Sequence, residues 1–273
     1  SGSVYKAKYR DQKIICKCFH IERYYDYESL LEDVEYECKN YSYLINTNYC
    51  CELIGICYSG HNIYLLLREY NVKGDLYDYI NQDKLWEKIE RIPKKNEYLY
   101  CYQDNKWIYK QNRKQKIKLT KHLCNSLEEL HSKNMVHCDL KTNNILYNEK
   151  KDQLILIDFG ASYYLGEEYF DIIDEGLGTL GYACNEFNEN GYCCKKTDIY
   201  SIAICILEIW CGGIWGDGDT YKECRKEVLS SLRKLKKKEP QLVKELKKCI
   251  VMDVDKRPYI ETFKKNIFHI LKL

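Results

Sequence analysis

No apolar run in this sequence reaches the roughly 18 residues that a membrane-crossing helix needs, so neither a transmembrane helix nor a membrane partner is expected. The opening Ser1-Gly2-Ser3 has no charged n-region and no apolar h-region, which gives no reason to expect a targeting segment. An excess of either charge is missing too. With 43 basic residues against 41 acidic ones the net charge is +2, and nothing electrostatic points to nucleic acid. Cysteine is plentiful, at 16 residues, yet no C-x-x-C pair occurs. The tightest spacings are Cys16-x-Cys18, Cys50-Cys51 and Cys193-Cys194. They do not match zinc ligand pairs, which usually stand two to four residues apart, and adjacent cysteines rarely bridge each other. In a chain of 273 residues this reads as reduced, mostly buried thiols in a cytoplasmic, intracellular setting. What remains is a globular chain, 45% hydrophobic and 31% charged, able to bury one sizeable core or two modest ones.

The densest chemistry lies between His137 and Gly160. His137-Cys138-Asp139-Leu140-Lys141-Thr142-Asn143-Asn144 is followed by the apolar run Leu154-Ile155-Leu156-Ile157 and then Asp158-Phe159-Gly160. The series resembles the catalytic loop and metal-binding triplet of eukaryotic-type protein kinases, H-R-D-L-K-x-x-N followed by a short strand and D-F-G, with the arginine replaced by Cys138. An isolated D-F-G or H-x-D occurs by chance; the ordered set at this spacing does not.

That resemblance implies MgATP as cofactor, because moving a phosphoryl group between oxygens is mainly positioning and charge neutralisation. Asp139 would accept the proton of the substrate hydroxyl and Lys141 would offset charge on the transferring group. Asn144 and Asp158 would supply oxygens to Mg²⁺, a hard ion that prefers them. Lys141, together with Gly178-Thr179-Leu180-Gly181-Tyr182 downstream, resembles the Ser/Thr subclass; tyrosine kinases usually carry Ala or Arg near position 141.

Other segments fall into the same order. Gly2-Ser3-Val4-Tyr5-Lys6-Ala7 resembles the tail of a glycine-rich loop, so Gly2 and Val4 are candidate nucleotide contacts and the family's first strand is expected to be missing. Ile14-Ile15-Cys16-Lys17-Cys18 is similar to the strand whose Lys holds the α- and β-phosphates. The following helix, Glu28 to Leu44, should offer Lys17 a glutamate. Of Glu28, Glu32, Glu35 and Glu37, the choice is Glu37, with Glu35 as the alternative, because Glu37, Tyr41 and Leu44 fall on one helical face at i, i+4, i+7. Leu53–Cys57 and Ile63–Leu67 read as strands of a hairpin. Arg68 to Leu76 resembles the segment joining two lobes, with the backbone of Glu69 to Asn71 placed to bind adenine. Arg68 then falls at the back of the pocket, where it needs an acidic partner unless the register is one residue off.

Residues 83–116 look like an insertion, with ten Lys and Arg against five Asp and Glu. Within it Glu97 to Lys110 is expected to form a hairpin turning at Asp104-Asn105, a candidate docking site for a partner. Cys184-Asn185-Glu186 stands where the family has A-P-E, and Glu186 is expected to pair with Arg257. The run from Asp198 to Leu207 is apolar almost all round, as a central helix would be, and Asp198 is expected to tie the catalytic loop to it. Arg233 to Lys238 reads as a solvated helix face.

The expected fold is α+β: a two-lobed protein kinase fold, with a small β-rich lobe over residues 1–69 and a larger helical lobe over 70–273. Its substrate would be a protein. A phosphotransferase for small molecules shares H-x-D-x-x-x-x-N, but Lys141 and the Glu186, Asp198 and Arg257 set belong to the protein-kinase lobe. The other alternative is a scaffold without catalysis. It is disfavoured because Lys17, Asp139, Asn144 and Asp158 are all present, and favoured by the absent early glycines of the glycine-rich loop, Arg68 and the altered A-P-E.

Overall fold

In a computed structural model, the structure describes residues 3–72, 74–81, 99–103, 106–110, 112–166, 178–184, 193–214 and 220–273. Gly2, Glu186, Asp104 and Asn105 lie outside them.

The chain opens with strands β1 (Ser3–Tyr9) and β2 (Gln12–Phe19), which turn through Arg10 and Asp11, both at positive φ. Helix α1 (Tyr27–Tyr43) follows, capped by Asp26, whose carboxylate accepts from the Ser29 amide at 2.8 Å. Next come β3 (Leu53–Ser59) and β4 (Asn62–Arg68), joined at Gly60, whose φ of +60° suits a residue without Cβ. These strands form one antiparallel sheet in the order β1-β2-β4-β3. Leu30, Val34, Tyr41 and Leu44 of the α1 segment and Ile63, Leu65 and Leu67 of β4 are all buried in the same core.

Beyond Arg68 the chain becomes mainly helical. Helix α2 (Leu76–Ile80) is short and capped by Asp75. Strands β5 (Leu99–Gln103) and β6 (Lys106–Lys110) pair antiparallel, Gln103 opposite Lys106, as the hairpin expectation requires; its turn residues lie outside the described set. Helix α3 (Arg113–Ser132) begins within the last residues of the 83–116 stretch. Asn112 starts it, accepting from the Gln115 amide at 2.9 Å, so the last residues of that polar stretch are helix. Then come β7 (Met135–Val136), a 3₁₀ turn at Thr142–Asn144, β8 (Ile145–Asn148), β9 (Gln153–Leu156) and β10 (Tyr163–Tyr164). Helices α4 (Lys195–Cys211), α5 (Tyr221–Lys236), α6 (Pro240–Cys249) and α7 (Ile260–Leu271) complete the lobe.

Helix α4 is buried from Thr197 to Trp210, which is why its sequence has no polar face. The run Arg233 to Lys238 is exposed except at Leu235. Arg257 is buried; its guanidinium donates to the carbonyls of Val251, Lys196 and Met252 and lies over the Tyr200 ring. The lobes are stitched behind the cleft, where Cys51 N donates to Leu156 O and Leu156 N to Tyr49 O. The result is a two-lobed α+β arrangement, with a small sheet and one helix above a helical body.

Candidate active site

The lower wall is built on Asp139. Its Oδ2 accepts from Lys141 Nζ at 2.7 Å and from Asn144 Nδ2 at 3.0 Å, and its Oδ1 accepts from Thr179 Oγ1 at 2.7 Å. Lys141 Nζ also donates to Thr179 Oγ1 at 2.6 Å, so two residues of the catalytic loop hold a residue from forty positions on. A carboxylate has about four lone-pair sites. Here Oδ2 takes two donors and Oδ1 one, which leaves a site on Oδ1 for an incoming hydroxyl. Asn144 spends its amide donors on Asp139 O and Oδ2, so its own Oδ1 is left to face the cleft.

The loop is held from below. Asp198, fully buried in α4, accepts from the backbone amides of His137 (2.8 Å) and Cys138 (3.0 Å) and contacts His131 Nε2 at 3.0 Å. Cys138 has φ +65°, a conformation that costs a residue with Cβ roughly 1 kcal/mol or more and persists only when its surroundings fix it. The two amide bonds to Asp198 do so. Thr142 and Tyr182 both donate to Glu208 Oε2, at 2.9 and 2.6 Å, fastening the catalytic loop and the segment carrying Thr179 to the same helix.

The upper wall centres on Lys17. Its Nζ lies 2.8 and 2.7 Å from the two oxygens of Glu37 and 2.7 Å from Asp158 Oδ1. Of the glutamates in the α1 segment only Glu37 is buried; Glu28, Glu32 and Glu35 are exposed. Burial alone would lower the Lys17 pKa, but the charges of Glu37 and Asp158 outweigh it and raise it. Burial likewise opposes ionisation of Asp158, yet the Lys17 charge holds it below the usual carboxylate range. For Glu37, at 2% exposure, burial wins and the pKa is raised.

Helix α1 is bolted to the Asp158 segment. Asn40 Nδ2 donates to Phe159 O and Ser162 O, at 2.9 and 2.7 Å, and Tyr36 OH donates to Ser162 O at 2.8 Å. Tyr41, Phe159 and His137 stack edge to face or tilted, with centroids 5.3 Å apart at each step. Gly160 sits under Glu37, and a Cβ there would come within 3.1 Å of Glu37 Oε2. Because Lys17 pins that oxygen, Gly160→Ala is expected to displace the pair and cost about 1–3 kcal/mol of stability. Thermal unfolding checks this; an unchanged midpoint would show that Glu37 has room to move.

Between the walls lies a cavity of about 450 Å³. Apolar Val4, Ile15, Leu67, Leu146 and Ile157 line it, with Lys17, Asn144 and Asp158 at one end and the backbone of Glu69 to Asn71 at the other. Asn71 adopts φ +52°, which Asn tolerates, and Tyr70 O is occupied by Asn148 Nδ2 at 2.9 Å. The expectation for Arg68 needs correcting in part. It does have an acidic partner, Glu52, at 2.5 Å, but both side chains are 55% exposed. Leu67, paired with Ile15 on the strand face that carries Lys17, forms the buried wall.

An apolar slot of this size, with a lysine and two oxygen ligands at one end and the Glu69 to Asn71 segment at the other, suits a nucleotide with its metal. Among the described residues no group of three or more His, Cys, Asp or Glu side chains that could hold a metal ion occurs. Comparison with known families decides the class, since the family model described as the protein kinase domain matches residues 1–269.

The chain belongs to the protein kinase family. It is 44% identical over 79 residues to a G-type lectin S-receptor-like serine/threonine-protein kinase of Arabidopsis thaliana, covering 29% of this chain and 10% of that one. A probable LRR receptor-like serine/threonine-protein kinase of the same plant is 31% identical over 161 residues, covering 58% and 16%. A putative mitogen-activated protein kinase kinase kinase 7-like protein of Drosophila melanogaster is 27% identical over 210 residues, covering 76% and 45%. The matched part thus spans less than half the length of each of these relatives.

In this kinase domain the structure brings Lys17, Glu37 and Asp158 together, and Asp139, Lys141 and Asn144 together. It lines the cleft with Val4, Glu69 and Asn71, while Gly2 and Glu186 are outside the described residues. Sequence reasoning passed over Asn40, Asn148 and Glu208. Asn40 had a usable signal, being three positions after Glu37 on the same helical face. Asn148 and Glu208 had none, because their partners are distant in the chain: Tyr70 stands 78 positions from Asn148, and Thr142 and Tyr182 stand 66 and 26 from Glu208.

Proposed function

We propose that this kinase domain transfers the γ-phosphate of MgATP to Ser or Thr hydroxyls of protein substrates. The observation that carries the reading is the closed cluster of Asp139, Lys141, Asn144 and Thr179 below an intact Lys17, Glu37 and Asp158 set. Mg²⁺, when bound, would neutralise phosphate charge, with Asn144 and Asp158 as its protein ligands. Lys17, kept charged by its two carboxylates, binds phosphate, and the Glu69 to Asn71 backbone orients the base. Asp139 Oδ1 takes the proton of the acceptor hydroxyl, while Lys141, oriented by Asp139 and Thr179, offsets charge beside it. The resemblance of Lys141 and Thr179 to the Ser/Thr subclass, with the names of the relatives, supports the choice of acceptor. Phosphoamino-acid analysis after incubation with γ-labelled ATP and mixed proteins tests it: phosphoserine and phosphothreonine are expected, and predominant phosphotyrosine would overturn it.

Activity is expected without phosphorylation of the activation segment. Cys138 offers no guanidinium to a phosphate on Ser162, Tyr163, Tyr169 or Thr179, and two of these four acceptors are already engaged. Thr179 holds Asp139 and Lys141, and Ser162 is fully buried, donating to His137 O at 3.1 Å. Phosphatase-treated enzyme should keep most of its rate; a tenfold loss restored by autophosphorylation would contradict this.

A further inference from the structure

Where the family's arginine would stand, the structure holds a thiol that meets another thiol. Cys138 Sγ lies 2.7 Å from Cys193 Sγ, across 55 residues of chain, and both side chains are buried. Each cysteine is positioned by the first turn of α4. The Cys138 amide donates to Asp198 Oδ1 at 3.0 Å, and Cys194, next to Cys193, donates its amide to Thr197 Oγ1 at 3.1 Å. The approach of the two sulfurs is therefore set by the rigid core of the lobe. Cys138 Sγ also reaches Val136 O, but at a long 3.9 Å, so bonding the sulfurs sacrifices no strong hydrogen bond there.

We infer that Cys138 and Cys193 form a disulfide on mild oxidation, a modification that clamps the catalytic loop to the base of α4 in its present arrangement. Closing the contact to the roughly 2.05 Å of a disulfide needs the sulfurs to move by less than an ångström. Asp139, Lys141 and Thr179 therefore keep their contacts. The bond closes a covalent loop containing Asp139, Lys141, Asn144, Asp158 and Thr179, which restricts the unfolded chain and stabilises the fold. The oxidant is a peroxide. One cysteine sulfur takes an oxygen from hydrogen peroxide to become a sulfenic acid, releasing one water. The second thiol attacks that sulfur and expels hydroxide, which leaves as a second water, so two thiol protons and two electrons have passed to the peroxide. Burial pushes the Cys138 thiol well up, so oxidation that begins at this sulfur is slow at neutral pH.

The test uses the full chain, reduced, freed of reductant and divided into a hydrogen-peroxide-treated and an untreated portion. Remaining thiols are blocked before non-reducing digestion and mass spectrometry. The expected result is a cross-linked Cys138–Cys193 peptide that dithiothreitol removes. Midpoint temperature should rise by about 5 °C or more, a rise absent from Cys193→Ser and, should that variant not fold, from Cys138→Ala. Both cysteines recovered blocked, or a link made instead by neighbouring Cys184, would overturn the inference. So would a cross-linked enzyme that has lost tenfold of the reduced enzyme's transfer rate. The consequence for rate rests on the proposed function, but the cross-link and the midpoint do not; a reduced enzyme without transfer would fault that function alone.

Discussion

Asp139→Asn is expected to slow phosphotransfer by about 10²- to 10⁴-fold, the range a positioned general base contributes, while nucleotide binding stays nearly intact. The variant should also fold. The oxygen of the new amide can still accept from Lys141 and Asn144, and its NH₂ can face Thr179, whose hydroxyl rotates from donor to acceptor. What the amide lacks is a basic lone pair on the atom that meets the substrate hydroxyl. Steady-state kinetics beside nucleotide titration separate the two effects; an unchanged rate would remove Asp139 from the mechanism.

Lys17→Met and Asp158→Ala are both expected to abolish transfer, for different reasons that binding and stability can tell apart. Lys17 is the cation between two carboxylates, one of them almost wholly buried. Removing it strands the Glu37 charge in the core, at a cost of about 3–5 kcal/mol, so the unfolding midpoint should fall by roughly 10 °C. Asp158→Ala removes a charge that Lys17 does not need, since Glu37 remains, so its midpoint should move less. Mg²⁺ should strengthen the stabilisation of the unmutated chain by ATP and fail to do so for the Asp158 variant, because only a bound ligand shifts stability by mass action. Equal Mg²⁺ responses would refute the metal role of Asp158.

The parts legible in the sequence are those whose geometry is local. Asp139, Lys141 and Asn144 lie within six positions, and a 3₁₀ turn brings them to one side, so spacing is already geometry. Glu37 was legible through helical periodicity, since the face shared with Tyr41 and Leu44 is the buried one. Arg68 was half legible. Its need for an acidic partner follows from charge, but the partner, Glu52, belongs to the chain just before β3, and which side chain walls the pocket is fixed by Leu67 pairing with Ile15. The start of α3 inside the 83–116 stretch rests on Asn112 capping the Gln115 amide, which the charge count of the stretch does not reveal. The contact between Cys138 and Cys193 had no sequence signal at all, because it is made by α4 holding two distant segments side by side.

The central claim is that this kinase domain is an enzyme rather than a scaffold. The most direct measurement is a single-turnover assay of γ-phosphate transfer to generic protein substrates, with MgATP binding measured by thermal shift on the same preparation. The account predicts both binding and transfer, with transfer far above a protein-free control. Saturable MgATP binding with no transfer above that control would contradict it.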